Sequence, residues 1–175
     1  MQNNKISLMI VDLHINSKNV LVIGGGEQAT KRISSIIDED CAITVVSPKF
    51  SASILDMAGD GNITIHQREA DTATLQEMNP DIVIVATDNH TLNNDIMRMA
   101  KEMGIMRYSV SDPQCSDYAH LAIVKFRDLV QIAVSTNGKS PTMAKRIRNN
   151  IKDNISDIVT LDIIDGIRAG RLHTH

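Results

Sequence analysis

Tryptophan is absent from this 175-residue chain, and Phe and Tyr occur only twice each. A core built from such a sequence has to be aliphatic, with the nine methionines as pliable filler. Cysteine is equally scarce. Cys41 and Cys115 are too few for a disulfide framework, and neither stands at metal-site spacing from the other or from a His pair. Ordinary thiols in a reducing cytoplasm are the expectation. No apolar run is long enough to span a bilayer. The opening MQNNKISLMIVDLH is interrupted by Asp12 and lacks the small-residue cleavage site of a signal peptide. Positive charge is not in excess either. A net charge of −3 excludes a broad basic surface for nucleic acid, so an anionic ligand has to be met by a local cluster.

What is present is a 42% apolar content and enough length for one real core, with room for a small appendage. From Asn19 to Asp112 short β-branched runs alternate with helical patterns. VLVIG reads as a buried strand, followed by Ala29, Ile33, Ile36 and Ile37 at helical spacing. CAITVVSP, ITIHQR, DIVIVATD and MRYSVSD read as further strands. TATLQEM and LNNDIMRMAKEM read as helices between them, the latter closed by Gly104. Such alternation predicts the α/β class, a Rossmann-type parallel sheet with helices on both faces. After Asp112 the pattern changes. HLAIVKF and LVQIAVS, separated by Arg127-Asp128, predict a β-hairpin. Ser140-Pro141 then opens a helix, with Ser as N-cap and Pro at the first helical position. Met143, Ile147, Ile151, Ile155 and Ile158 mark its expected buried stripe, and Lys145, Arg146, Arg148 and Lys152 fall largely off it. The expected divisions are a nucleotide-binding domain over 1–113, a hairpin with a turn over 114–141, and a short helical tail over 142–175. The hairpin and helix are too thin to close a core alone and form a natural place for two chains to pack.

Between the first strand and helix lies Gly24-Gly25-Gly26-Glu27-Gln28-Ala29, in which Gly24, Gly26 and Ala29 fit the G-x-G-x-x-A form. The first glycine allows the tight turn, the second lets the backbone approach a pyrophosphate, and the third small residue lets helix and strand pack closely. The helix start adds free N–H groups and the positive end of its dipole. A turn with no ligand is the alternative. The strand-before, helix-after context favours the nucleotide. The acid expected roughly 20 residues on, which grips ribose hydroxyls, is missing. Val46-Ser47-Pro48-Lys49 stands there instead. Ser47 can bond a ribose hydroxyl and Lys49 tolerates a 2′-phosphate, so this strand leaves NAD and NADP open.

Two more strand ends point to the same edge, where ligands of such sheets bind. Thr87 and Asp88 follow one apolar run, with Asn93 a turn further on; these suit a ribose or nicotinamide neighbour, while Asp88 is equally placed to cap the next helix. Ser111-Asp112 ends the next strand. A carboxylate beside a nicotinamide can take the proton that accompanies hydride loss, although Asp112 before Pro113 is also a turn former.

These pieces resemble the dehydrogenase module of siroheme synthases, and more closely the free-standing precorrin-2 dehydrogenases. The stretches LMIVDLHINSKNVLVIGGGEQATKR, VVSP, VIVATDNHTLNNDI, SVSDP and AVSTNGKSPTMAKRIR carry the resemblance in family order over nearly the whole chain. STNGKSP is the most specific, because generic Rossmann domains have no such turn after a hairpin. The resemblance implies oxidation of precorrin-2 by NAD to sirohydrochlorin, in a cytoplasmic homodimer joined through the segment after the Rossmann domain. It implies that Gly24, Gly25 and Gly26 hold the pyrophosphate with Ser47 and Thr87 beside the remaining cofactor groups, and that Asp112 is general base; Glu27, Gln28, Pro48, Asp88 and Asn93 complete the candidate cofactor set. On the substrate side it implies Thr136, Asn137, Gly138, Lys139 and Ser140 of the turn, with Lys145 and Arg146. Precorrin-2 carries many carboxylates, and Lys139, Lys145, Arg146 and Arg148 offer a local basic cluster; taken alone they also read as a solvated helix face.

Some features depart from the family. Many members have an aromatic residue and then a proline where this chain has Ala119-His120-Leu121-Ala122. Larger members continue through a helical domain beyond the point corresponding to His175, and the absence of a methyltransferase module argues against the trifunctional form. Related proteins also insert iron, but His14, His66, His90, His120, His173 and His175 form no ligand cluster in sequence, and no bound metal is expected. The competing expectations are a dehydrogenase that is also a chelatase, and a regulatory module that senses NAD without turnover.

Overall fold

The computed structural model describes residues 9–126, 130–155 and 159–169. They divide into two compact units, one spanning Leu13–Ala119 and the other combining the described residues of 1–12 with those of 120–175.

In the Leu13–Ala119 unit, five strands form one parallel sheet: β1 (Asn19–Ile23), β2 (Ala42–Ser47), β3 (Thr64–Gln67), β4 (Ile82–Val85) and β5 (Met106–Ser109). Their spatial order is β3-β2-β1-β4-β5. Between them run α1 (Glu27–Ile33), α2 (Ala52–Gly59), α3 (Ala73–Met78) and α4 (His90–Glu102). Strand alternation sorts the core onto both faces of the sheet. Val20, Val22, Val45 and Ile84 pack with Ala29, Ile33 and Ile54 on one side. Leu21, Ile23, Val46, Val83 and Val85 pack with Leu75, Ile96, Met97 and Ala100 on the other. This is why the strands read as continuous apolar runs. Each large side chain so buried stabilises the fold by roughly 1.5–3 kcal/mol.

All five predicted strands are present, and so is the helix end at Gly104, which has φ +72°. The first helix ends early. The helical spacing through Ile36 and Ile37 predicts a longer first helix, but α1 stops at Ile33. The hydroxyl of Ser35 donates to the Arg32 carbonyl at 2.7 Å, and Ser35 and Ile36 make i to i+3 backbone bonds. Serine competes here with the helical ladder for the backbone acceptors, so the chain tightens into turns.

The second unit contains the antiparallel pair β6 (Ala122–Phe126) and β7 (Val130–Val134), with Phe126 opposite Val130. The expected turn residues Arg127 and Asp128 lie outside the described residues. α5 (Pro141–Asp153) follows, capped by the Ser140 hydroxyl, which accepts from the Met143 N–H at 3.2 Å, with Pro141 in the first turn. α6 (Leu161–Arg168) closes the described chain. The buried core here is Val124, Ile155, Val159 and Ile164.

The expected stripe of α5 needs correction. Met143 and Ile147 are 46% and 41% exposed, whereas Ala144 is buried, as is Ile155 just beyond the helix. Residues spaced strictly by four drift round a helix of 3.6 residues per turn, so a stripe of that spacing leaves the contact face. The inward line runs instead through Ala144, Arg148 and Ile151 to Ile155. Arg148 therefore leaves the exposed basic cluster: it is half-buried, and its Nε is buried without a hydrogen-bond partner among the described residues. Ile158, the last residue of the expected stripe, lies outside the described residues. No helix among the described residues is long and apolar enough to cross a membrane.

Candidate functional site

In the β3-β2-β1-β4-β5 order the chain runs outward both ways from the β1/β4 boundary, and ligands of open α/β sheets bind at that reversal. A cleft of about 480 Å³ opens there. Its walls are Gly24, Gly25 and Gly26 after β1, Ser47 to Ser51 after β2, Glu69 and Ala70 after β3, and Ala86 to Asn89 after β4, with Leu92 of α4.

The three glycines do different things. Gly24 has φ +116°, and a Cβ on it would overlap the Ala86 carbonyl oxygen, so the turn off β1 and the closeness of β4 both require glycine. A Cβ on Gly25 would overlap the Lys49 carbonyl oxygen, and the Gly25 carbonyl accepts from the Ser51 N–H at 2.8 Å. Gly26 has nothing within 4 Å of an added Cβ. Its openness belongs to the cleft rather than to packing. It is also the N-cap of α1, and as glycine it brings no capping side chain, so the first N–H groups of the helix have no side-chain cap among the described residues. Ala29, fully buried, brings α1 against the sheet as the spacing predicts. Thr30 then ties α1 to the start of α2 through a hydroxyl pair with Ser51 at 2.9 Å. Glu27 and Gln28 are exposed, and the Glu27 carboxylate pairs with Lys31 at 2.6 Å, which holds it below the usual carboxylate range.

On the β4 side, Thr87 lines the cleft and is gripped by Asn93, which is buried. The Asn93 amide donates to the Thr87 carbonyl at 2.8 Å, and its oxygen accepts from the Thr87 hydroxyl at 2.5 Å. Both ends of the Asn93 side chain are thus spent on Thr87. The helix cap falls one residue later than the alternative considered for Asp88. Asn89 accepts from the Leu92 N–H at 3.1 Å, and Asp88 stays exposed in the cleft wall.

A second cavity, of about 310 Å³, lies beside the α4 start and the β5 end, lined by His90, Asn93, Asn94, Met97, Ser109, Ser111, Asp112 and Cys115. The Thr87–Asn93 pair stands between the two cavities, with Thr87 in one wall and Asn93 in the other. Asp112 forms the turn expected before Pro113. Its Oδ1 accepts from the Gln114 N–H at 3.0 Å and caps the short 3₁₀ turn Pro113–Cys115, yet it is the one carboxylate lining this cavity. Cys115 donates its thiol to Oδ2 at 3.1 Å, and that bond, with some burial, pushes the thiol pKa up. The Asp112 N–H is held by the Ser109 hydroxyl at 3.1 Å. His90, Asn94 and Cys115 are lining residues that no sequence spacing singled out.

The remaining predicted residues belong to the other unit. Thr136 to Ser140 form a tight turn with Asn137 at φ +52° and Gly138 at φ +73°. The Thr136 hydroxyl donates to the Ser140 carbonyl at 3.0 Å and accepts from the Ser140 N–H at 3.1 Å. Lys139, Lys145 and Arg146 are exposed. Among the described residues no group of three or more His, Cys, Asp or Glu is placed to hold a metal ion.

Known proteins resemble the chain across both units. The family model described as "Putative NAD(P)-binding" matches residues 11–122, and "Sirohaem biosynthesis protein central" matches residues 127–154. A precorrin-2 dehydrogenase of Bacillus subtilis is 33% identical over 144 residues, covering 81% of this chain and 86% of that protein. Another, of Priestia megaterium, is 31% identical, covering 86% of this chain and 72% of the relative. The siroheme synthase of Gluconobacter oxydans is 30% identical, but the chain spans only 30% of its length. The solved structure of SirC, precorrin-2 dehydrogenase, superposes with a TM-score of 0.74 at 28% identity, covering 84% of this chain and 71% of that one. The glycine cradle, the sheet order and these matches agree, and the chain belongs to the precorrin-2 dehydrogenase family.

Proposed function

We propose that this chain oxidises precorrin-2 to sirohydrochlorin with NAD, as a cytoplasmic homodimer, and that Asp112 is its general base. The observation that carries the reading is the pair of neighbouring cavities at one sheet edge: a glycine cradle open at Gly26, and a cavity whose single carboxylate is Asp112. Substrate identity rests on the relatives named precorrin-2 dehydrogenase.

The cleft fits a dinucleotide. Gly24, Gly25 and Gly26 would hold the pyrophosphate, Ser47 and Pro48 would border a ribose, and Thr87 would stand near the nicotinamide. NAD, when bound, supplies a two-electron hydride acceptor. Oxidation removes a hydride and a proton from precorrin-2, and Asp112 takes the proton. Gln114 and Cys115 each donate to one of its oxygens and so fix the carboxylate's orientation. Asn93 aligns Thr87. Lys139, Lys145 and Arg146 are exposed cations suited to the substrate's carboxylates, each contributing modestly and weakening with salt. Exposed Ile123, Met143, Ile147 and Ile163 in the hairpin–helix unit are apolar area that a second copy would cover, which supports the homodimer reading.

The test is anaerobic turnover of precorrin-2 with NAD, following sirohydrochlorin and NADH together. Equal yields of both are expected. NAD binding without product would replace the enzyme by a sensing module, and iron insertion without NAD would add chelatase activity. Asp112→Ala should lower kcat by about 10²-fold or more while cofactor affinity holds, and full turnover in that variant would remove the assigned base.

A further inference from the structure

The acid expected at the end of the second strand is missing, yet a carboxylate reaches the same cleft from the strand beside it. Ser47 at the end of β2 is in register with Gln67 at the end of β3. Lys49 and Glu69 each lie two residues beyond that pair, and both line the cleft. Arg68, between Gln67 and Glu69, is committed elsewhere: its guanidinium pairs with Glu77 and bonds the Thr74 hydroxyl at 3.3 Å, both on α3. The exposed Glu69 carboxylate has no hydrogen bond or ion pair among the described residues. Asp88 is the cleft's other carboxylate, and it follows β4 on the opposite side of β1.

We propose that Glu69 binds the adenosine ribose hydroxyls of the cofactor and thereby makes this chain select NAD over NADP. The inference rests on reading the cleft as the dinucleotide site. Ribose hydroxyls need an acceptor. Lys49 carries only donors, whereas a carboxylate accepts from both hydroxyls. The charge that accepts from a 2′-hydroxyl repels a 2′-phosphate, and Lys49 softens that repulsion without supplying an acceptor. The selectivity normally carried by β2 is in this chain moved one strand outward.

Isothermal titration of the full chain with NAD, NADP and NAD lacking the adenosine 2′-hydroxyl tests this without turnover. The wild-type chain should bind NAD about tenfold or more tighter than NADP, the range expected for hydrogen bonds to a charged group. Glu69→Gln should narrow that ratio by raising NADP affinity. Glu69→Ala should weaken NAD by about tenfold and bind the deoxy analogue as well as NAD. Lys49→Ala should lower NADP affinity and leave the preference for NAD in place. An unchanged ratio in both Glu69 variants overturns the inference while the cofactor site stands. A wild-type chain that binds neither dinucleotide overturns the site reading and the inference with it.

Discussion

Gly24 and Gly26 belong to one motif but answer to different forces. Gly24 combines a left-handed φ of +116° with a Cβ position already filled by the Ala86 carbonyl, so Gly24→Ala should damage the fold. Its thermal midpoint should fall by several degrees with or without cofactor. Gly26 sits at φ −90° in open space, so Gly26→Ala should fold with an unchanged midpoint. The same change should weaken NAD binding by about tenfold or more in calorimetry, because the methyl enters the cradle. If Gly26→Ala binds NAD normally, the pyrophosphate does not lie over that residue. The same logic applies to Asn93. Its place in the sequence suggests a cofactor contact, but both ends of its side chain are consumed by Thr87, so it acts on the cleft through its neighbour.

Among the elements, the sheet's functional edge depends on stitching at the opposite edge. Asp81, just before β4, accepts from the Asn19 N–H at 2.9 Å and from Lys18 Nζ at 3.1 Å, while its backbone bonds Asn19 and Met106. It thereby joins β1, β4 and β5. The Asn19 N–H, and then Lys18, hold its carboxyl below the ordinary value of 3.8. A lowered folded pKa means the stabilisation is fully present above that ordinary value and is lost as pH falls through the folded one. Asp81→Asn should therefore lower the melting midpoint at neutral pH by about 1–3 °C, an exposed pair being worth little. The gap from wild type should close in acid. A gap that persists below the carboxylate range would assign the effect to packing. Strand and helix identities were legible here because buried β-branched runs and a 3.6-residue period are local signals. The end of α1 was not, because Ser35 redirects a backbone carbonyl that no periodicity reports.

For the whole molecule, the exposed apolar side chains of the hairpin–helix unit bear on assembly. Met143 and Ile147 lie outside their own unit's buried core, the reverse of the expectation from spacing, and with the exposed Ile123 they are the apolar side chains that the proposed dimer would cover. Met143→Asp combined with Ile147→Asp should convert a dimer to a monomer in sedimentation at micromolar concentration. Since neither side chain belongs to the buried core of its unit, the cost to the fold of each chain should be modest. A variant that stays dimeric would move the interface elsewhere. Salt titration separates this apolar contact from the basic cluster: dimerisation should hold in salt that weakens substrate capture.

Fold class and the glycine turn were contained in the order of residues, because each depends on neighbours within one or two turns, whereas STNGKSP stood out only through the family resemblance. Proline at the start of α5 with Ser140 before it, or glycine at a left-handed turn, is a constraint the chain imposes on itself locally. Which strand ends bring carboxylates to the cleft, which residue joins the two cavities, and which side of α5 is buried were settled by tertiary contacts. Glu69 becomes a cleft residue only through the pairing of β3 with β2, and Asn93 becomes a clamp only when α4 folds back on the end of β4. Spacing along a chain carries no record of lateral register, and lateral register is what brings these groups to the same edge.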